Sequence, residues 1–159
     1  MLFFSGGEII EVALQIERNG LAFYRSMAGS TEHGDVKNLF NHLADEEEKH
    51  IKSFQSLYKY FKDYKPTIRD EEEYYDYIRM LAAMNVFTKK EGIHEVLNKV
   101  KDKKDALDMA IGFEKESILF FVGIKGLARE PQRDAIEELV HQEQEHLRKL
   151  FLLTRDNNR

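Results

Sequence analysis

The stretch LFNHLADEEEKHIKSF, residues 39–54, decides the fold because its apolar residues recur at the three- and four-residue spacing of one helix face. A helix advances by about 100° per residue, so the facing of each side chain follows from its position. With Glu47 placed at zero, Phe40 and Phe54 fall within roughly 60° of it. His50 lies about 60° to one side. Glu47 is therefore in the middle of the apolar stripe.

The acidic residues around Glu47 face elsewhere. Glu46 and Glu48 fall roughly 100° to either side, and Asp45 lies about 160° away. We expect water to solvate these three carboxylates. The run DEEEKH thus contains a surface charge cluster and one inward pair, Glu47 with His50.

The second half of the chain repeats the pattern of the first. ALQIERNGLAFY at residues 13–24 is echoed by AIGFEKESILFF at residues 110–121, and residues 39–54 are echoed by AIEELVHQEQEHLRKLF at residues 135–151. Two helix pairs on one plan predict an all-α four-helix bundle with internal pseudo-symmetry, in which a long crossover joins the halves.

The helix limits follow from the apolar stripes and their flanking residues. Ser5-Gly6-Gly7-Glu8 resembles a helix start. We predict one domain over residues 1–159, with a crossover containing short helices at about 64–102. The four long helices are expected at about residues 7–29, 35–63, 103–129 and 131–155.

Composition restricts the possible functions. A net charge of −5 gives no basic footprint, so nucleic acid and anionic membranes are not expected partners. The absence of Cys excludes disulfides and thiolate metal sites and agrees with a reducing cytoplasm. The N-terminal MLFFSGGEIIEV lacks a basic n-region, and the longest apolar run, residues 118–124, is too short for a bilayer. We expect an unexported cytoplasmic protein.

The spacing E-x-x-H occurs four times and is a weak signal by itself. The pair ending at His94 lies in the irregular crossover, and the pair ending at His141 lies on a polar face. Only Glu47 with His50 and its echo, Glu143 with His146, are central in apolar stripes. The remaining histidines are expected at the surface: His33, His42, His94 and His141.

Four glutamates are predicted to face one core, because Glu17 and Glu114 lie in mid-stripe on the first and third long helices as Glu47 and Glu143 do on the others. Burying four carboxylates without cations would cost several kcal/mol per charge unless their pKa values rose strongly. Two divalent cations would balance four carboxylates, and two imidazoles can complete the shells. A metal-free network of Glu and His is the alternative.

At this point the sequence resembles the ferritin-like di-iron carboxylate proteins, which use one Glu from each of two helices and E-x-x-H from the other two. ALQIERNGLAFY and ALDMAIGFEKESILFF resemble the bundle domain of rubrerythrins. The resemblance implies two metal ions, with iron expected and manganese or zinc possible. It implies six metal ligands: Glu17, Glu47, His50, Glu114, Glu143 and His146. Glu47 and Glu114, or their counterparts in the other half, would bridge the two metal ions.

The resemblance also bears on the surroundings of the metals. Tyr24 matches a position where these proteins often place a tyrosine close to the metals, with core packing as the alternative. Rubrerythrins carry a further Glu where this chain has Ser117, and they append an iron domain with four cysteines that this chain lacks. These two differences weaken the expectation that this chain shares the metal movement and the peroxide turnover of rubrerythrins.

The leading functional hypothesis is an oxidoreductase-type di-iron protein that reacts with peroxide or dioxygen. Its reducing equivalents would come from an external electron-donor protein, and we expect a homodimer. An iron-binding or storage protein with ferroxidase activity is a second hypothesis, and a non-catalytic metal-binding scaffold is a third. The sequence leaves the native metal, the oxidant and the donor open.

Overall fold

The chain folds into four long helices and two short ones, as a computed structural model shows for residues 5–64, 69–85 and 92–156. No strand occurs in these three ranges. The all-α four-helix bundle with a long crossover between its halves is therefore confirmed. The helices are α1 (Gly6–Ser30), α2 (Gly34–Phe61), α3 (Arg69–Met84), α4 (Gly92–Lys99), α5 (Lys103–Leu127) and α6 (Gln132–Asp156).

Side-chain caps fix the starts of two long helices. The Ser5 hydroxyl accepts from the Glu8 amide at 3.3 Å, and the Glu8 carboxylate accepts from the Ser5 amide, which forms a capping box at the helix start that the sequence predicted. Asp102 caps α5 by accepting from the Asp105 amide at 2.8 Å. These caps satisfy amides that have no partner within the helix.

The two halves are antiparallel hairpins that pack face to face. α1 packs along α2, and α5 packs along α6, while α2 with α6 and α1 with α5 join the halves. Aromatic side chains fill the core, where Phe23 meets Phe40 and Phe113 edge to face and Phe54 meets Phe121. Burial of the apolar stripes stabilises this arrangement and fixes the rotation of each helix.

The crossover packs on the outside of the bundle. α3 lies against α5, where the Tyr74 hydroxyl donates to the Gly123 carbonyl at 2.7 Å, and α4 lies against α1. Gly126 permits this contact, because a Cβ there would overlap the Tyr74 ring and hydroxyl. Among the residues that the structure describes, no helix combines the length and hydrophobicity needed to cross a membrane.

Candidate metal centre

The middle of the bundle contains all six side chains that the sequence assigned to a metal site. α1 contributes Glu17 and α5 contributes Glu114, whereas α2 and α6 each contribute a Glu and a His. Each of the six is at most 4% exposed. Their helix positions place them at the centre of apolar stripes, so the rotation that buries the core also brings them together.

The six side chains form two overlapping groups. Glu17, Glu47, His50 and Glu143 make the first group, and Glu47, Glu114, Glu143 and His146 make the second. Within each group, one ligand atom from every residue lies within 4.8 Å of the others. Glu47 and Glu143 belong to both groups, so the arrangement is that of two adjacent cation sites with two shared carboxylates.

The structure separates shared from unshared carboxylates, a choice that the sequence had left open between Glu47 and Glu114 or their counterparts. Glu114 belongs to the second group alone, whereas Glu143 belongs to both groups together with Glu47. The reason is geometric, because Glu143 directs one oxygen to each histidine. Its Oε1 lies 2.8 Å from His50 Nδ1, and its Oε2 lies 3.1 Å from His146 Nδ1.

Burial makes three of the carboxyl groups hard to ionise without cations. Burial and the charge of Glu143 raise the pKa of Glu17 well above its usual value, and burial and Glu17 do the same to the pKa of Glu47. Burial and the charge of Glu143 raise the pKa of Glu114 to about 8. At neutral pH these groups therefore retain protons in the metal-free protein.

Glu143 and the two histidines are instead held in their charged forms. Burial opposes the ionisation of Glu143, but contacts with His146 and His50 overcome it and place the pKa of Glu143 below its usual range. Burial alone would lower the histidine pKa values. The contact with Glu143 and its charge instead raise the pKa of His50 to about 9, and contacts with Glu114 and Glu143 raise the pKa of His146 to about 10.

The residues present fit a pair of metal ions. Three atoms of the first group are buried and make no hydrogen bond of regular geometry: Glu17 Oε2, His50 Nδ1 and Glu143 Oε1. They converge, since His50 Nδ1 lies 3.3 Å from Glu17 Oε2 and 2.8 Å from Glu143 Oε1. Buried polar atoms without partners are costly, and a divalent cation among them would satisfy all three. Oxygen and imidazole donors suit iron, manganese or zinc.

Tyr24 contacts the centre through a hydrogen bond as well as through packing. Its hydroxyl donates to Glu114 Oε1, and the residue is fully buried. Burial and the neighbouring carboxylates, Glu114 foremost, raise the pKa of Tyr24 well above its usual value, so the phenol keeps its proton at neutral pH. The corresponding residue of α5, Phe121, packs against Phe54 and offers no donor.

Two polar neighbours of the centre were missed from the sequence. The Gln142 amide oxygen lies 2.9 Å from His50 Nε2. Glu46, predicted to be solvated, is half-buried and lies within 4.8 Å of a ring nitrogen of each centre histidine, because the seam between α2 and α6 covers it. Both residues immediately precede a shared glutamate, which is the sequence signal that could have revealed them.

The remaining histidines lie at the surface, as predicted. His33, His42, His94 and His141 are all exposed. Facing therefore separates the inward E-x-x-H pairs from the outward pair ending at His141. The fourth pair cannot be placed as a unit, because Glu91 lies outside the described residues.

Comparisons with known proteins agree with this geometry. The rubrerythrin family model matches residues 8–154. The crystal structure of a protein from Thermotoga maritima, described as a ferritin-like di-iron carboxylate protein, is similar with a TM-score of 0.73. Its sequence is 26% identical, and the match covers 99% of each chain. A comparison with curated proteins found no match.

Proposed function

The chain belongs to the rubrerythrin family, and from this premise we propose that it is an oxidoreductase with a di-iron centre that reacts with peroxide or dioxygen. The family and the two Glu/His groups support a protein that binds two metal ions. The choice of iron, the oxidant and the electron donor are parts of the proposal. The metal ligands would be Glu17, Glu47, His50, Glu114, Glu143 and His146.

One observation carries the proposal: two adjacent groups of buried carboxylate and imidazole donors share Glu47 and Glu143. A mononuclear site would need only one group. Four glutamates would balance the charge of two divalent cations, and each group retains a single imidazole. This donor set suits iron or manganese in a redox role, and zinc in the same place would be redox-silent.

Two ferrous ions held by these residues would supply the two electrons that reduce hydrogen peroxide, with two protons, to two molecules of water. The chain's own part is position and charge. Glu143 aligns both histidines through its two oxygens. Tyr24 retains the proton on its hydroxyl and holds Glu114 Oε1 in one direction. The apolar core around the six side chains excludes bulk water.

The space beside the centre favours a small oxidant. A cavity of about 10 Å³, near the size that one water molecule needs, adjoins Glu47 and Glu114 and is lined by residues that include Gly20 and Ser117. A groove of about 520 Å³ lies between the end of α1 and the start of α5, and none of the six centre residues lines it. The cavity beside the centre has no room for a larger organic substrate, which favours a small oxidant such as peroxide or dioxygen.

The electron donor is proposed to be another protein. The 159 residues contain no Cys, so they hold no thiolate-bound iron that could relay electrons to the centre. We also propose a cytoplasmic homodimer. Tyr77, Met80 and Met84 of α3 are exposed and are available to contact a second subunit.

The test is anaerobic loading with Fe(II), followed by metal analysis and stopped-flow mixing with peroxide or dioxygen. We expect two ions per chain and rapid oxidation by one of the two oxidants. Faster oxidation by peroxide assigns a peroxidase-type reaction, and faster oxidation by dioxygen assigns a ferroxidase-type reaction. Size-exclusion chromatography should give a dimer, and a large shell would indicate iron storage instead. A chain without stoichiometric metal would contradict the di-iron centre.

A further inference from the structure

An amide on α6 connects the centre to the protein surface. The Gln142 amide oxygen lies 2.9 Å from His50 Nε2, and the Gln142 amide nitrogen donates to Glu138 Oε1 at 2.9 Å. Gln142 is half-buried, and Glu138 is exposed. The three side chains therefore form a continuous line from water to a buried ligand.

The orientation of this line follows from what each group can donate. An ionised carboxylate only accepts hydrogen bonds, so Glu138 must face the NH₂ end of the Gln142 amide. The carbonyl end of that amide then faces α2, where it can only accept from the His50 ring. Glu138 thus determines which way the Gln142 amide points.

The same reasoning fixes the proton on His50. Because the Gln142 oxygen accepts, His50 Nε2 must carry a hydrogen in either the neutral or the charged ring. In the neutral ring this leaves the lone pair on Nδ1. That nitrogen faces Glu17 Oε2 and Glu143 Oε1 and makes no hydrogen bond of regular geometry.

We propose that Gln142 is a positioning residue that fixes His50 in the tautomer that presents Nδ1 to the metal, and that Glu138 orients Gln142 for this task. The inference rests on the proposed metal centre. Outer partners of ligating histidines generally fix the ring in this way, and their loss typically lowers metal affinity by about 10- to 100-fold.

His146, the other histidine of the centre, has a different neighbour. The residue that precedes Glu47 on α2, in the place that Gln142 has before Glu143, is Glu46. Glu46 accepts a hydrogen bond from Lys49 on its own helix, and its carboxylate lies within 4.8 Å of a His146 ring nitrogen. The two histidines thus have different neighbours, an amide for His50 and a lysine-paired carboxylate for His146.

Zinc binding to the full chain tests the proposal, because Zn(II) is diamagnetic and gives a readout independent of turnover. We expect Gln142→Leu to lower zinc affinity by about 10- to 100-fold in competition with a chromogenic chelator. Nitrogen-15 labelling of histidine should show, in the zinc form, a protonated Nε2 and a metal-bound Nδ1 on His50. In the metal-free chain the His50 Nε2–H should exchange slowly with water and should exchange faster in Q142L.

A reciprocal exchange separates positioning from simple packing. In the double variant Q142E/E138Q, the amide at position 138 can donate to the carboxylate at position 142, which still accepts from His50 Nε2. We expect the double variant to retain zinc affinity within about threefold of the unaltered chain, because an acceptor still faces His50 Nε2, whereas Q142L has no acceptor there and loses affinity. Glu145→Gln removes one exposed negative charge from α6, as E138Q does. It is the matched control and should have no effect on zinc affinity.

The outcomes separate the positioning role of Gln142 from the existence of the metal centre. Equal zinc affinity in Q142L and the unaltered chain, or an unchanged His50 Nε2–H exchange rate, would overturn the positioning role while leaving the metal centre intact. A zinc affinity of Q142E/E138Q as low as that of Q142L would also overturn it. Failure of the unaltered chain to bind stoichiometric zinc or iron would overturn the proposed function itself. Circular dichroism of each variant confirms that the helices are retained.

Discussion

The two halves of the bundle supply equivalent ligands but different neighbours. Glu17 and Glu114 occupy matching places on α1 and α5, and the pairs Glu47 with His50 and Glu143 with His146 match on α2 and α6. The neighbours break this symmetry, since Tyr24 of the first half corresponds to Phe121, and Gln142 of the second half corresponds to Glu46.

The differing neighbours act across the interface between the halves. Tyr24, in the first half, donates to Glu114 of the second half. Gln142, in the second half, lies against His50 of the first half. Each half therefore orients one ligand of the other, which ties the geometry of the centre to correct packing of α1 on α5 and of α2 on α6. Repeated ligands define the charge of the site, and unrepeated neighbours make its two positions unequal.

The largest expected effect separates shared from unshared ligands. The double change Glu47→Gln and Glu143→Gln removes carboxylates common to both groups, so we expect metal binding to be almost abolished. Glu17→Gln or Glu114→Gln affects one group each and should lower the stoichiometry from two ions toward one. Metal analysis after gel filtration measures this, with Glu145→Gln as the surface control. Equal losses in all variants would contradict the two-group geometry.

The second effect concerns the pH dependence of the metal-free chain. Folding raises the pKa of Glu114 to about 8, of His50 to about 9 and of His146 to about 10. The pKa values of Glu17 and Glu47 also rise. Between about pH 4.5 and pH 10 the folded chain thus binds more protons than the unfolded chain, so its stability must fall as pH increases.

The histidines and the carboxyl groups each lower the stability of the metal-free chain as pH rises, over different pH ranges. The histidine contributions are complete below the unfolded pKa near 6.5 and are lost as pH rises through about 9 to 10. The raised carboxyl pKa values cost stability from about pH 4.5 upward. We expect the Tm of the metal-free chain to fall by at least about 5 °C between pH 6 and pH 9. The metal-loaded chain should show a smaller fall, and a metal-free Tm that rises over this range would contradict the burial of the carboxyl groups.

Substitution of Tyr24 and Phe121 tests whether the asymmetry is functional. Tyr24→Phe removes the donor to Glu114, and we expect oxidation of the Fe(II) form to slow by roughly tenfold. Phe121→Tyr inserts a hydroxyl beside Phe54, which should cost about 1–3 kcal/mol in stability without changing the oxidation rate. Stopped-flow kinetics and denaturant unfolding measure the two quantities. A rate change in F121Y equal to that in Y24F would remove the distinction between the halves at this position.

The sequence predicted the repeated ligands of the centre and singled out Tyr24, but it missed the contact of Gln142 and the partial burial of Glu46 for a physical reason. Helix register alone locates Glu47 and Glu143, because burial of the apolar stripe determines their direction. The contact between Gln142 and His50 depends on the offset between α2 and α6, which register within one helix does not contain. Glu46 is half-buried for the same reason. Whether a side chain on the flank of a stripe meets water or a neighbouring helix requires the packed structure.

The smallest expected effect compares two glycines in matching places, Gly29 of α1 and Gly126 of α5. A Cβ at Gly29 would meet no atom within 4 Å, whereas a Cβ at Gly126 would overlap the side chain of Tyr74. Gly29→Ala should therefore stabilise the chain by about 0.5 kcal/mol through helix propensity. Gly126→Ala should destabilise it by about 1 kcal/mol, because Tyr74 must leave the carbonyl of Gly123. Denaturant unfolding of both variants measures the difference, and equal shifts would show that the packing of α3 on α5 does not constrain the second half.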